Sequence, residues 1–303
     1  MAAAEAPQWA AVVVNYHSGP LLAECVDALL ADVSAGVPEV VVVDNGSVAG
    51  AMDALQRGRA QITVVRPGAN LGYARAANLG IAATTAPIVA VINPDAILEP
   101  GSAAGILAAF GADDRVAVVG PTITNLDGSV YPSARTAPGL AVAVGHALLS
   151  GVAPQNRFTA AYRQLEADPA SARDVDWVSG AAVWFRRDIL DRVGGWDERF
   201  FLFLEDVDVC RVIREAGGRV RYEPSARVMH VVGTSRAAAP SRSIVRHHRA
   251  AYRYAEKWWH GPQRLALPLA GAFLTARAGI VIFASTLRRA APPKRPKTRT
   301  TTG

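Results

Sequence analysis

The chain has 303 residues, half of them hydrophobic, which suits one large domain or two small ones with an ample core. Two cysteines, Cys25 and Cys210, lie in helix-like stretches without metal-binding spacing, excluding a disulfide framework or cysteine zinc site and fitting a reducing cytosol. Up to Glu256 there are 23 Lys and Arg against 26 Asp and Glu, a net of −3; beyond it nine Lys and Arg face no acid, which excludes a basic nucleic-acid-binding body and points to an anionic contact at the terminus.

The N-terminus carries Glu5 and no basic cluster before Val12, so no secretory signal is expected. Val12–Val14, Val40–Val43, Ile62–Val65, Ile88–Ile92 and Val116–Val119 are short β-branched runs that predict buried parallel strands. Leu21–Leu30, Met52–Arg57, Tyr73–Ala83 and Ser102–Phe110 between them have helical composition. The alternation predicts an open, mostly parallel doubly wound α/β sheet that binds its ligand beyond the carboxyl ends of the strands. No dinucleotide fingerprint or P-loop follows any strand.

Residues 125–173 read as irregular and rich in Pro, Gly and Tyr. A strand is expected at Trp177–Arg186, a helix at Asp188–Val193, an acidic helix after Phe201, a strand at Arg219–Tyr222 and an Arg-, His- and aromatic-rich helix at Ser241–His260. Leu265–Leu287 is apolar except for Arg277 and reads as broken by Pro268. The predicted divisions are a catalytic domain at 1–255, an interfacial helical segment at 256–288 and a basic disordered tail at 289–303.

Polar residues gather where the early strands end: Asn15-Tyr16, Asp44-Asn45-Gly46-Ser47, Asn70-Leu71-Gly72-Tyr73 and Asn93-Pro94-Asp95. Each alone is a common turn, but four successive strands ending this way converge on one crevice. Asp44 suits either a ribose- or base-accepting carboxylate or a helix cap. Asp95 suits either a divalent-cation ligand or a turn aspartate. His230 ends a late strand as a ligand, a proton carrier or a structural histidine. Glu205, Asp206 and Asp208 crowd the first turn of the acidic helix. One would serve as a cap, and the surplus marks a base or cation site.

The same motifs, together with Gly194-Gly195-Trp196-Asp197-Glu198, resemble the family 2 inverting glycosyltransferases of GT-A fold over roughly residues 9 to 260. Within that family they look most like actinobacterial rhamnosyltransferases extending a polyprenyl-diphosphate-N-acetylglucosamine, on Asp127–Arg135, Thr159–Gln164 and His247-His248. The resemblance implies that Asp44 reads a pyrimidine base. It also implies a donor site of Asn15, Tyr16, Asp44, Asn45, Asn70, Gly72, Arg75, Asn93, Asp95 and Gly180. Asp95 and His230 would hold Mg²⁺ or Mn²⁺, although the family's metal motif often has Asp where Asn93 stands.

Asp206 matches the catalytic base, and Glu205 is the alternative because sequence does not fix which carboxylate faces the acceptor. Trp196, Asp197, His247 and Arg249 are expected on the acceptor side; a buried Trp in the core and a solvated basic helix face are the plainer alternatives. The implied donor is dTDP-L-rhamnose and the acceptor a polyprenyl-diphosphate-GlcNAc. Leu265–Leu287 has the length to cross a bilayer, but Arg277 and Pro268 make crossing costly. Beside a spanning helix, the expected reading is therefore an interfacial one on the cytoplasmic face, with the six Lys and Arg from Arg288 to Arg299 drawn to anionic lipid. The competing class is a nucleotide-sugar-binding protein without activity, which Asn93 keeps open.

Overall fold

The computed structural model describes residues 6–47, 50–137, 140–149, 153–231 and 240–290. Two compact units emerge, divided between Ala238 and Ala239.

In the first unit, Trp9–Asn15 (β1), Glu39–Asp44 (β2), Ile62–Val65 (β3) and Ile88–Ile92 (β4) are parallel strands in the order β3–β2–β1–β4. The valine and isoleucine runs of β1, β2 and β4 are buried on both faces, as a sheet covered by helices requires, whereas in the edge strand β3 only Ile62 is buried. The helices between them are Leu21–Ala31 (α1), Ala51–Arg57 (α2) and Tyr73–Ala82 (α3). Ala96–Leu98 (β5), Ser102–Ala112 (α4) and Val116–Thr124 (β6) follow. The short strands Val130–Tyr131 (β7) and Ala134–Arg135 (β8) come next, with helices Leu140–Leu149 (α5) and Arg157–Arg163 (α6), in the segment expected to be irregular. Arg173–Val175 (β9), Trp177–Val178 (β10), Ala182–Arg186 (β11), Arg187–Arg192 (α7), Glu205–Glu215 (α8) and Arg219–His230 (β12) complete the unit.

The main sheet continues beyond β4 as β11–β6–β12–β5, with β11 antiparallel to both neighbours and β12 parallel to β6. Two strands differ from expectation. The 177–186 strand is broken at 179–181, because β10 leaves the main sheet to pair with β8 while β11 pairs with β4. The strand at Arg219 runs on to His230, with register shifts at Arg219/Val220 and between Glu223 and Arg227. The second shift brackets Pro224, which has no N–H to give the ladder. That extension carries His230 to the strand ends where the site forms.

The second unit holds the helix Pro240–Trp258, a 3-10 turn at Gly261–Ala266 and the helix Leu267–Ala290. Pro268 opens the last helix rather than breaking it, since the first helical turn leaves its N–H groups unbonded anyway. Gly261–Thr286 is long and apolar enough to cross a bilayer, by length and composition. Arg277 Nη1 donates to His248 Nε2 at 2.8 Å, and His248 Nδ1 bonds the Ile244 carbonyl at 2.8 Å. Burial lowers the His248 pKa and so favours the neutral ring that can accept from Arg277. Leu265, Leu269, Ile280 and Phe283 are exposed. From residue 291 on, the expected basic tail lies outside the described residues.

Candidate active site

The parallel strands end side by side, and their polar loops interlock. Asn15 pairs with Asp44 across β1 and β2, and its Nδ2 donates to Ser47 Oγ at 2.6 Å. Asp44 Oδ1 accepts from the Ser47 N–H at 2.8 Å. Asn45 Nδ2 reaches Asn70 Oδ1 at 3.3 Å and the Gly72 carbonyl at 3.2 Å, while its Oδ1 accepts from Leu71 N at 2.8 Å. These amides therefore fix the 70–72 turn against the end of β2. Asn15 Oδ1 is buried without a hydrogen-bond partner among the described residues, and Tyr16 stands exposed beside it.

At the β4 and β12 ends, His230 Nε2 lies 3.1 Å from Asp95 Oδ1 and 3.5 Å from Asn93 Nδ2. One carboxylate oxygen and one imidazole nitrogen fit a divalent cation that completes its shell with phosphate oxygens and water. Among the described residues no cluster of three His, Cys, Asp or Glu offers a fuller cage.

The acidic helix meets these turns through the break between β10 and β11. Asn93 N donates to the Ala181 carbonyl at 2.8 Å, and one residue earlier Gly180 N donates to Asp206 Oδ2 at 2.9 Å. Gly180 is required here, since a Cβ would fall 3.0 Å from Asp206 Cβ. Asp206 Oδ1 accepts from Val207 N at 2.9 Å. Hydrogen bonds thus link the Asn93-Pro94-Asp95 turn to Ala181, and its neighbour Gly180 to the Asp206 carboxylate.

Burial, and then the adjacent Asp206 charge, pushes the Glu205 carboxyl well above the usual range. Burial also raises Asp206, but the Gly180 and Val207 N–H groups and the Arg135 charge draw it back. Of the two, Glu205 is pushed further toward the neutral form, and Asp206, with its N–H donors and the Arg135 charge, is the one favoured as the anion. A carboxyl whose pKa is higher folded than unfolded lends stability below its unfolded value and loses it as pH climbs through the folded one. Glu205→Gln removes that loss. Its Tm advantage over the wild type should be smallest near pH 5 and grow toward about pH 9. Thermal melts across that range check it, and a flat difference contradicts it.

The Trp196 loop is held by Asn78 of α3, which accepts from Trp196 N at 2.9 Å and donates to its carbonyl at 2.8 Å. The Trp196 ring itself is buried, edge-on to Tyr73 and Phe185, so it is part of the packing rather than an open acceptor wall. Asp197 pairs with Arg199 at 2.6 Å, and Arg75 faces Glu198 at 3.6 Å. His247 and Arg249 belong to the second unit, where both are exposed.

Sequence reasoning missed three residues. Tyr73 donates from its hydroxyl to the Gly180 carbonyl at 3.0 Å and from its N–H to Phe201 O at 2.7 Å, joining the 70–72 turn to the base loop. Asn78 is the second. Arg135, stacked on Tyr131, Tyr162 and Trp177, is the third. Asn78 leaves one faint signal, a polar side chain within an Ala- and Gly-rich helix.

A profile described as glycosyltransferase like family 2 matches residues 7–253. N-acetylglucosaminyl-diphospho-decaprenol L-rhamnosyltransferase of Mycobacterium tuberculosis is 36% identical over 274 residues, covering 84% of this chain and 88% of that protein. Among solved structures, GalNAc-T7 with UDP, GalNAc and Mn²⁺ is similar with a TM-score of 0.59 at 16% identity, over 86% of this chain and 50% of that one. The mannosyltransferase PcManGT of Pyrobaculum calidifontis, in complex with GDP-Man and Mn²⁺, is similar at 0.57 and 18%, over 96% of this chain and 82% of that one. Those two likenesses give the fold, which is GT-A-like, as the sequence motifs led one to expect. By the match across most of its length, the chain belongs to glycosyltransferase family 2 and is a glycosyltransferase.

Proposed function

We propose that this chain transfers L-rhamnose from dTDP-L-rhamnose to the N-acetylglucosamine of a polyprenyl-diphosphate carrier, with inversion. The observation that carries the reading is the Glu205–Asp206 pair, Glu205 buried and Asp206 half-buried. Its Asp206 carboxylate accepts from Gly180 N, next to the Ala181 that bonds the turn bearing Asp95, itself 3.1 Å from His230. The choice of sugar and carrier rests on the mycobacterial relative's name.

Asp206 accepts the proton of the acceptor hydroxyl as that oxygen bonds to the anomeric carbon. The bond from that carbon to the nucleoside diphosphate breaks in the same displacement, so no sugar is ever bound to the protein. General-base assistance of this kind contributes about 10²–10⁴-fold. Asp44 and Asn15 take the base and ribose. Tyr16, Asn45, Asn70, Gly72, Arg75, Asn93 and Gly180 line the rest of the donor site. Asp95 and His230 are the side chains that would hold Mg²⁺ or Mn²⁺, which when bound neutralises charge growing on the leaving diphosphate. Asp197 lies toward the acceptor, with Trp196 behind it in the core of the first unit, and His247 and Arg249 of the second unit are the basic residues that would meet the acceptor's diphosphate. The second unit rests on the cytoplasmic face of the membrane through its exposed Leu269, Ile280 and Phe283, aided by the basic end, so that enzyme and lipid-linked acceptor share one surface.

The test is a transfer assay with purified protein, a panel of nucleotide sugars and a short polyprenyl-diphosphate-GlcNAc, run with and without EDTA. Rhamnosyl transfer that EDTA abolishes is expected. Transfer from another donor instead would overturn the specificity while leaving the class intact.

A further inference from the structure

Arg135 is placed unlike any other cation of the first unit. Its Cζ lies 4.8 Å from the Trp177 ring centre, 5.4 Å from Tyr131 and 5.5 Å from Tyr162. Its Nε donates to the Pro132 carbonyl at 2.9 Å and its Nη2 to the Tyr131 hydroxyl at 2.6 Å. Among the described residues no carboxylate comes within 4.0 Å of it, whereas most other arginines of this unit form ion pairs. Three aromatic rings and two hydrogen bonds hold this guanidinium in place.

The strands that hold it also hold the base. Arg135 pairs with Trp177 and Ala134 with Val178, and the ribbon extends through Ser179 N to Ser133 O at 2.9 Å. The next residue, Gly180, donates its N–H to Asp206. At the other end of the same helix, Arg214 bridges to Asp176 at 2.5 Å. Asp176 in turn accepts from Ala137 N at 2.7 Å and donates its own N–H to Arg135 O at 3.1 Å. The β8–β10 ribbon and α8 are therefore tied at both ends.

We infer that Arg135 is a positioning residue for transfer: clamped by Tyr131, Tyr162 and Trp177, it presents a fixed positive charge to Asp206 without occupying the carboxylate oxygens. This rests on Asp206 being the base. A direct salt bridge would hold the charged form more strongly but would take the lone pair the acceptor proton needs; a charge held back on an aromatic clamp favours the anion and leaves that oxygen open.

The groups that act on Asp206 are few. Glu205 adjoins it on α8 and is pushed toward the neutral form by burial and then by the Asp206 charge. Cys210, on the same helix, is pushed up to about 12 by burial and stays neutral. Tyr73 from α3 and Tyr162 from α6 are both raised, chiefly by burial, and stay neutral as well. Arg135 from β8 is the cation that draws Asp206 down.

The experiment is the pH profile of kcat/KM for Arg135→Gln and Arg135→Lys beside the wild type, with KM for donor and acceptor measured separately. R135Q should move the acid limb up by about one pH unit, leave the donor KM unchanged and regain activity at alkaline pH. R135K should return part of the shift. An R135Q limb at the wild-type position overturns the inference. So does a raised acceptor KM with an unmoved limb, which would make Arg135 an acceptor-binding cation. Should R135Q not fold, Trp177→Leu loosens the clamp while keeping the charge; a smaller rise of the limb is expected, and no rise overturns the inference. Asp206→Asn separates the two levels: if it retains turnover, the base assignment itself fails, whereas its inactivity beside an unmoved R135Q limb sinks the Arg135 role alone.

Discussion

Asp206→Asn should lower turnover by about 10²–10⁴-fold while leaving nucleotide-sugar affinity unchanged. The asparagine is nearly isosteric, and with its carbonyl in the Oδ2 position it keeps the Gly180 N–H bond that holds residues 179–181, while only the Val207 N–H in the first turn of α8 loses its acceptor. What is lost is the negative charge that takes the acceptor proton. Calorimetry with the nucleotide sugar and a turnover assay on the same preparation provide the check. A binder without catalysis would lose neither quantity. Glu205→Gln offers the contrast: burial holds the Glu205 carboxyl toward its neutral form, which an amide imitates, so this variant should keep much of the activity. If D206N were active and E205Q dead, the two carboxylates would exchange roles.

Gly72→Ala is the second large effect expected. Gly72 has φ +87° and ψ 171°, a conformation reserved almost wholly for glycine, costing another residue about 1–3 kcal/mol. A Cβ would also fall 2.7 Å from Phe201 O and 2.9 Å from the Phe201 ring, displacing the carbonyl that accepts from Tyr73 N. The loop cannot absorb this cheaply, because Phe203 and Leu204 already sit at φ +75° and +63° just before Glu205. G72A should therefore lower Tm by roughly 5 °C and reduce kcat/KM by about tenfold or more, the first from backbone strain and the second from a displaced base. A G72A protein with wild-type melting and kinetics would show that the 70–72 turn and the base loop are not coupled.

The parallel half of the fold was legible because strands covered on both faces must be apolar throughout, and Val40–Val43 or Ile88–Ile92 admits little else. The carboxylate cluster was legible for the opposite reason: Glu205 and Asp206 break an apolar run where one capping acid would do. Asp95 and His230, 135 residues apart, were each ambiguous alone and meet because the strand begun at Arg219 and the one expected to end at His230 are a single β12, which pairs with β5 beside Asp95. The roles of Tyr73 and Asn78 were not legible because their partners lie 107 and 118 residues away, and nothing local distinguishes a helix tyrosine that donates to Gly180 from one that packs. Arg135 was quoted as part of a motif, but its aromatic clamp draws on three separate elements. Trp196 was noticed for its motif and proved to be core, the plainer of the two readings its sequence allowed.

The most direct measurement is the anomeric configuration of the first-formed product, read by NMR on the sugar-lipid released in a single turnover. One displacement with a proton-accepting Asp206 and no covalent sugar predicts a configuration opposite to that of the donor. Retention would require a second substitution at the same carbon, and Asp206 could not then be the base of the only step.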